Sequence, residues 1–555
     1  MDYNILIGGA AGQGMDSVTQ ALAKVLQKNG LYIYSTADYL SRVRGGHNFY
    51  QVRFSDKPIH CAKRELDIIF ALNKETLDKH LPRLKQGGLS FSDVSIEGYP
   101  NTKKYDLVNK AKELGNERVL SSIGLAIIMR HLGLKLDLAE EVIAEIIRSE
   151  YVDMNIEALR YGYELTDPGN EYDPIKSDTI LIDGNSAIGF GAVAAGCKFY
   201  CGYPMTPSSG VLGFMEAASK EMKIAVDQVE DEVAALNMAL GASYAGVRAM
   251  TGSSGGGFAL MQEAMSLAGM IEAPVVVVDV QRPAPATGLP TYTEQADLRF
   301  VIHSGHGEFP KKVIAIRNAE DGFYQTVRAF DIAEKYQIPV VILSDQYLAD
   351  SNVNIKPFDL ESIEINRYLA NPSDYEPGAY KRFEITEDGL SPRLIPGRAN
   401  GNIVIVDSDE HDEMGRIEES AENRIAMMDK RARKAANLIN ECEEPWEIGT
   451  DDFDTLVVAW GSTYGILKEA IEHLNGNGHR IKGLSYADVY PLNTDLLLEY
   501  HKKANKFIVV EQNMDGQFEG LIRQEALIKS DHLITKYDGR AFYLEEMIEA
   551  IEEVL

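Results

Sequence analysis

Three acids, Glu230, Asp231 and Glu232, stand directly before the apolar series Val233, Ala234, Ala235 and Leu236. The field at a helix N-terminus favours acidic residues in the first turn, and that alone accounts for their presence. One carboxyl turned inward among small residues would behave differently, because burial raises its pKa and lets it share a proton with a ligand nitrogen. A second unusual run is Tyr203-Pro204-Met205-Thr206-Pro207-Ser208-Ser209. Its two prolines fix the backbone around Thr206 and hold its hydroxyl in one place, which suits a small anionic group, although a plain turn satisfies the same residues. Asp279, Val280, Gln281 and Arg282 follow a run of valines and lie where a buried strand emerges, the end of a parallel strand at which ligands bind. The planar fork of Arg282 matches a carboxylate; a peripheral salt bridge is the competing use. The residues from Pro283 to Glu294 form a loop long enough to close over such a site.

Near the start, Gly8-Gly9-Ala10-Ala11-Gly12-Gln13-Gly14 joins a short strand to a helix. Glycines there let a backbone approach an anion at the helix N-terminus. No Lys-Ser/Thr pair follows Gly14, so this is not a nucleotide-triphosphate loop; it is a loose dinucleotide fingerprint or a tight turn without a ligand. Arg42, Arg44, Gly45 and Gly46 form a basic loop able to meet a phosphate-bearing partner or only solvent. Cys197 and Cys201 are expected in the core, and with Cys61 and Cys442 they lack the spacing of an iron–sulfur site. His303 and His306 have no third ligand nearby, so no metal site is expected. The acidic run from Asp407 to Glu413 reads as a solvated or cation-binding loop, or as a subunit contact.

These residues need several domains to position them. A chain of 555 residues exceeds one compact core. Alternating strand and helix signals predict a first α/β domain over 1–165, and Thr166–Ser177, rich in Asp, Pro and Gly, reads as a linker. A second βα series covers 179–350, residues 351–450 form a connector with a helix near 425–440, and a third unit occupies 451–555. Doubly wound α/β architecture throughout is the economical expectation. With 55 basic and 84 acidic residues the net charge is −29, which argues against nucleic acid as a partner. Four cysteines suit a reducing compartment, and no apolar run is long enough for a membrane helix, so a cytoplasmic protein is expected.

Taken together, the motifs resemble the thiamine-pyrophosphate-dependent 2-oxoacid:ferredoxin oxidoreductases, in the form whose gamma domain is fused ahead of the alpha part. The resemblance rests on the first glycine loop, Arg44-Gly45-Gly46, Tyr203 to Ser209, Glu230 to Ala235 and Thr251 to Gly257. Gly288-Leu289-Pro290-Thr291, Glu294 to Leu298, Glu410 to Gly415, and Glu511-Gln512-Asn513 with Gly516-Gln517 extend it along the chain. It implies a gamma-type α/β domain, a pyrimidine-binding domain and a transketolase C-terminal-like domain. The cofactor's diphosphate, its Mg²⁺ and a [4Fe–4S] cluster would belong to a separate beta subunit, in a dimer of gamma–alpha/beta heterodimers inactive without that partner.

The resemblance assigns Glu232 to the aminopyrimidine N1′, with Glu230 as the fallback. It places Tyr203, Pro204, Ser253, Ser254 and Gly255 around the cofactor, and Thr206 and Arg282 on the substrate's 1-carboxylate. Gly12, Gly14, Arg42 and Arg44 fall near the coenzyme A entrance. Oxidative decarboxylation of a 2-oxoacid to an acyl-coenzyme A, with ferredoxin as electron acceptor, is the implied reaction. The fused arrangement favours 2-oxoglutarate; branched-chain 2-oxoacids, pyruvate and a noncatalytic assembly role are the alternatives. Arg282-Pro283-Ala284-Pro285-Ala286-Thr287-Gly288 departs from the family's Arg-x-Gly-Pro-Ser-Thr-Gly, which bears on substrate preference more than on reaction class.

Overall fold

The computed structural model describes residues 1–40 and 45–555. Arg42 and Arg44 of the expected basic loop lie outside the described residues. The chain divides into two compact units: residues 1–182 with 350–357 and 543–547, and residues 183–349 with 358–542 and 548–555.

The smaller unit is built on an eight-stranded sheet. Its order is Lys103–Tyr105, Leu84–Asp93, Leu66–Ala71, Asp2–Ala11, Gly45–Ser55, Tyr32–Asp38, Asn352–Ile355 and Ile180–Asp183. The sheet is mixed, which corrects the doubly wound expectation here: Gly45–Ser55 runs antiparallel to both Asp2–Ala11 and Tyr32–Asp38. Buried Gln51 and Arg53 interrupt the apolar signature that would have marked this strand, but each has partners. Arg53 Nη1 donates to the Cys61 carbonyl at 2.8 Å, and its Nε and Nη2 reach the Asp2 carboxylate at 3.0 Å. One apolar core joins Met15–Lys28, Leu120–His131, Leu136–Ile146 and Ser149–Glu164 to the sheet. The second and fourth of these helices meet backbone to backbone, for a Cβ on Gly162 would stand 2.3 Å from the Ile123 carbonyl. The expected connector begins with Asn352–Ile355, a strand of this sheet.

The larger unit carries two sheets. In the first, Lys312–Ala315, Pro339–Asp345, Val275–Gln281, Ala249–Ser253, Phe199–Gly202 and Ala225–Gln228 lie in that order, all parallel, and Asp488–Tyr490 adds antiparallel at the outer edge. Val275–Gln281 is buried throughout, as a valine run in the middle of a parallel sheet must be. The second sheet has the order Trp446–Gly449, Ile481–Tyr486, Thr455–Trp460, Lys506–Glu511 and His532–Thr535. Gln295 links the two: its Nε2 donates to the Trp460 carbonyl at 2.9 Å, and its Oε1 accepts from Thr463 and from the Gln512 amide, both at 3.1 Å. Together these strands place Ser253 at the carboxyl end of its strand and Tyr203 and Arg282 just beyond the ends of the strands on either side.

Candidate active site

The three consecutive acids meet three different fates. Asp231 is the N-cap of the helix Glu232–Tyr244, its Oδ1 accepting from the Ala234 amide at 2.7 Å. Glu230 precedes the cap and is exposed. Glu232 occupies the first helical position and turns inward, only 2% exposed. Its Oε1 accepts from the Ser253 hydroxyl at 3.1 Å. Gly257 makes room for the pair: a Cβ there would lie 2.1 Å from Ser253 Oγ and 2.2 Å from Glu232 Oε1. The cap sets where the helix starts, and the helix start decides which acid points inward.

Ser253 ends its strand, and Ser254 caps the short helix Gly255–Phe258 while keeping its own hydroxyl buried and without a partner. Tyr203 and Pro204 are exposed, whereas Thr206 is half-buried. Arg282 brings the proline-flanked turn to the strand ends, its Nη1 donating to the Thr206 carbonyl at 2.5 Å. Burial lowers the Arg282 pKa, with Asp297 opposing the shift. Asp297 rises to about 6 through burial, against the pull of Arg282. Half-buried Glu294 rises to about 7 through burial, with Asp297 and Asp538 adding to the effect. The loop from Pro283 to Glu294 is pinned at Tyr292, where the Arg540 guanidinium stacks 3.6 Å from the ring centroid.

A buried carboxylate, the glycine that makes room for it and an arginine bonded to a threonine carbonyl thus gather where neighbouring parallel strands end. Residues 190–430 match a family model described as pyruvate flavodoxin/ferredoxin oxidoreductase, thiamine diphosphate-binding, and residues 4–165 match one described as pyruvate ferredoxin/flavodoxin oxidoreductase. The 2-oxoacid:ferredoxin oxidoreductase subunit alpha of Saccharolobus solfataricus is 32% identical, the match covering 100% of this chain and 98% of the relative. The chain belongs to the 2-oxoacid:ferredoxin oxidoreductase family, as an alpha subunit. A 2-oxoglutarate synthase subunit KorA of Methanocaldococcus jannaschii is 32% identical over 67% of this chain and 98% of its own length. A solved 2-oxoglutarate:ferredoxin oxidoreductase from Magnetococcus marinus, with 2-oxoglutarate, coenzyme A and succinyl-CoA bound, superposes with a TM-score of 0.92 at 32% identity, over 100% of this chain and 99% of that one. The chain is thus part of an oxidoreductase with a thiamine diphosphate-binding domain.

Several motifs that carry the 2-oxoacid:ferredoxin oxidoreductase resemblance turn out to be fastenings. Glu511 is fully buried and accepts from the Phe518 and Glu519 amides at 2.8 and 2.9 Å, holding the start of the helix Gln517–Ala526. Glu410 pairs with Arg424 and, at 2.7 Å, with Arg431; His411 packs on Phe383 with ring centroids 3.9 Å apart. Cys197 and Cys201 are buried, and burial raises both thiols to about 12. Among the described residues no group of three or more His, Cys, Asp or Glu is arranged to hold a metal, and no helix is long and apolar enough to cross a membrane.

In the smaller unit, Gly14 stands at the head of Met15–Lys28 with φ 79° and lines a cavity of about 390 Å³ with Ser17, Arg118, Arg148 and Tyr151. Gly12 also has positive φ, at 92°, and open space where a side chain would be. Sequence reasoning placed Asp279 where a buried strand emerges and Asp297 within the Glu294 to Leu298 segment, but joined them in no cluster and gave neither a role. Their only signal was a lone acid in a valine run and an acid at a helix start, 18 residues apart in the chain.

Proposed function

We propose that this chain is the fused gamma–alpha subunit of an enzyme that converts a 2-oxoacid, coenzyme A and two oxidised ferredoxins to an acyl-coenzyme A, carbon dioxide, two reduced ferredoxins and a proton. A cytoplasmic beta partner would hold the cofactor's diphosphate with Mg²⁺ and carry the [4Fe–4S] cluster, in a dimer of heterodimers. The observation that carries the reading is the inward Glu232, bonded to Ser253 above Gly257. Its fit to thiamine diphosphate lies in that geometry: the ring nitrogen needs a proton held in a dry place, and Glu232 is a buried acid with Oε1 already fixed.

When bound, thiamine diphosphate supplies the nucleophilic carbon and the electron sink for decarboxylation. Glu232 would hold the proton at the aminopyrimidine N1′, and Ser253 would orient the carboxylate that does so. Ser254 and Gly255 would let the backbone approach the ring, with Tyr203 and Pro204 at the exposed rim. Thr206 and Arg282 would receive the substrate's 1-carboxylate, the hydroxyl and the guanidinium both being donors. Gly12 and Gly14, beside the arginine-lined cavity, are assigned to coenzyme A, together with Arg42 and Arg44. The 2-oxoglutarate synthase names among the relatives and the ligands of the Magnetococcus marinus structure favour 2-oxoglutarate as the acid.

The test is the assembled complex, assayed for ferredoxin reduction with a panel of 2-oxoacids and coenzyme A. Glu232→Ala should keep assembly and lose turnover, since removing a buried charge-assisted hydrogen bond costs about 2–5 kcal/mol. Normal turnover in that variant rejects the assignment, and faster turnover with pyruvate than with 2-oxoglutarate rejects the substrate.

A further inference from the structure

Asp279 lies between Val278 and Val280 on the strand Val275–Gln281, with none of its surface exposed. Neither carboxyl oxygen meets a hydrogen-bond partner. Parallel register sets it beside Ser253, and residues side by side in adjacent strands present their side chains to one face of the sheet. On that face Ser253 donates to Glu232. The turn after Ser253 meets a second acid, for a Cβ on Gly255 would stand 2.4 Å from Asp297 Oδ2. That oxygen and the hydroxyls of Thr251 and Ser254 are buried and unpartnered as well.

Two carboxyls therefore lie close to the turn that carries Ser253. If both were ionised, two like charges would be buried in one cluster with no water to screen them and no cationic partner on Asp279. Burial, and then the charge of Asp297, push the Asp279 carboxyl well above the ordinary carboxylate range. A carboxyl that keeps its proton carries no charge and can both donate and accept, which removes the like-charge repulsion within the pair.

We propose that Asp279 and Asp297 form an acid pair that holds one proton between its two members beside the Ser253–Gly255 turn, and that this pair is a positioning device for Glu232 and Arg282. It rests on the reading of Glu232 as the cofactor-facing acid. With one proton the pair carries a single negative charge, which Arg282 balances. With none it carries two, and the second pulls Arg282 from the Thr206 carbonyl and repels Glu232 beyond Ser253. The backbone N–H of Asp297 donates to Gln281 Oε1 at 3.0 Å, so the loop bearing Asp297 is tied to the strand bearing Asp279. The other titratable groups near the pair are Arg282, the residue after the strand of Asp279, Glu232 from the neighbouring helix, Glu294 three residues before Asp297, and Cys201, whose thiol donates to the Ala235 carbonyl.

The first readout is infrared spectroscopy of the full chain, which should show a protonated carboxylic acid at neutral pH that Asp279→Asn removes. The second is thermal unfolding between about pH 4 and 8. A raised carboxyl keeps in the folded state a proton that the unfolded chain releases, so stability falls as pH rises through the pair's titration; Asp279→Asn should flatten that fall. The third is thiamine diphosphate affinity of the assembled complex. Asp279→Leu, which removes the donor, should weaken it about tenfold. Asp279→Asn, which keeps one, should weaken it less and move the alkaline limb of the pH–rate profile upward.

An infrared band or a pH slope unchanged in Asp279→Asn overturns the pair. Loss of the band with undiminished cofactor affinity in Asp279→Leu overturns the positioning role; should that variant not fold, an unmoved alkaline limb in Asp279→Asn does the same. Failure of the Glu232 reading is separable, since it appears as normal turnover in Glu232→Ala while the Asp279 infrared and stability signals persist.

Discussion

Two buried carboxylates of the larger unit, Glu272 and Asp279, are equally removed from solvent and treated in opposite ways. Glu272 accepts from Lys430 at 2.7 Å and from Lys434, and its backbone carbonyl accepts from Arg382 at 2.7 Å. Burial works against its charge, yet Lys434, Lys430 and Arg382 prevail and hold the carboxyl well below the usual range. Asp279 has no such partners. The first acid fastens the helix Ala421–Asn437 to the sheet domain and is electrostatically finished. The second lies beside Ser253, the hydrogen-bond partner of Glu232, and burial raises it well above the ordinary carboxylate range. The contrast separates framework from working parts without reference to any motif: a satisfied buried charge holds the fold, and an orphaned one marks the site.

The largest effect on stability should come from breaking the finished cluster. Glu272→Gln leaves Lys430 and Lys434 buried without a counter-charge, and removing one partner of a buried ion pair costs about 3–5 kcal/mol. Urea unfolding of the full chain measures this, and turnover per folded complex should stay at the wild-type level. A loss under about 1 kcal/mol would mean that solvent reaches the cluster, and the contrast with Asp279 would dissolve.

Gly257→Ala attacks the other member of the comparison. The added Cβ overlaps both Ser253 Oγ and Glu232 Oε1. The serine hydroxyl can rotate away, but the carboxylate cannot retreat without leaving its place. Overpacking of this kind costs about 1–3 kcal/mol, and it should appear mainly as weaker thiamine diphosphate binding. Combining it with Ser253→Ala should recover part of the affinity, since one of the two overlaps is then gone. No recovery would show that the overlap with Glu232 dominates.

How much of this was legible in the sequence depends on whether the signal was local. The strand Val275–Gln281 follows the valine run closely because an apolar run identifies itself. The antiparallel Gly45–Ser55 was missed because its buried polar residues are satisfied by Asp2 and Cys61, partners that no local pattern reveals. The inward turn of Glu232 was open to reasoning from the small-residue helix behind it, but which of three acids would turn depended on the cap at Asp231. Asp279 and Asp297 were not legible as a cluster. What joins them is the register of Ser253 against Asp279 and the close approach of Gly255, and neither has a sequence signature.

The pH dependence of stability should show the two kinds of carboxylate as separate limbs. The lowered carboxyl of Glu272 contributes stability above the unfolded value of 4.5, lost as pH falls through its folded titration. Asp297 and Glu294, raised to about 6 and about 7, contribute in the opposite sense: their stability is full in acid and lost as pH rises toward neutrality. Unfolding at fixed urea across this range should therefore lose its acid limb in Glu272→Gln and part of its neutral limb in Asp297→Asn. A neutral limb untouched by Asp297→Asn would remove that carboxyl from the network.

The smallest effect is the most discriminating between neighbours. Glu230 and Glu232 are the same residue type two positions apart, separated by the cap. Glu230 is exposed, so Glu230→Gln should change stability by less than about 0.5 kcal/mol, as surface substitutions do, and leave turnover within about twofold, since an exposed partner adds little to any charge interaction. Glu232→Gln keeps shape and volume but cannot take the place of a carboxylate on a ring nitrogen, so its loss should fall almost wholly in turnover and cofactor affinity. Comparable losses in the two variants would mean that burial at the helix head does not select the acid that works, and the rule drawn from Glu272 and Asp279 would fail at the position where it matters most.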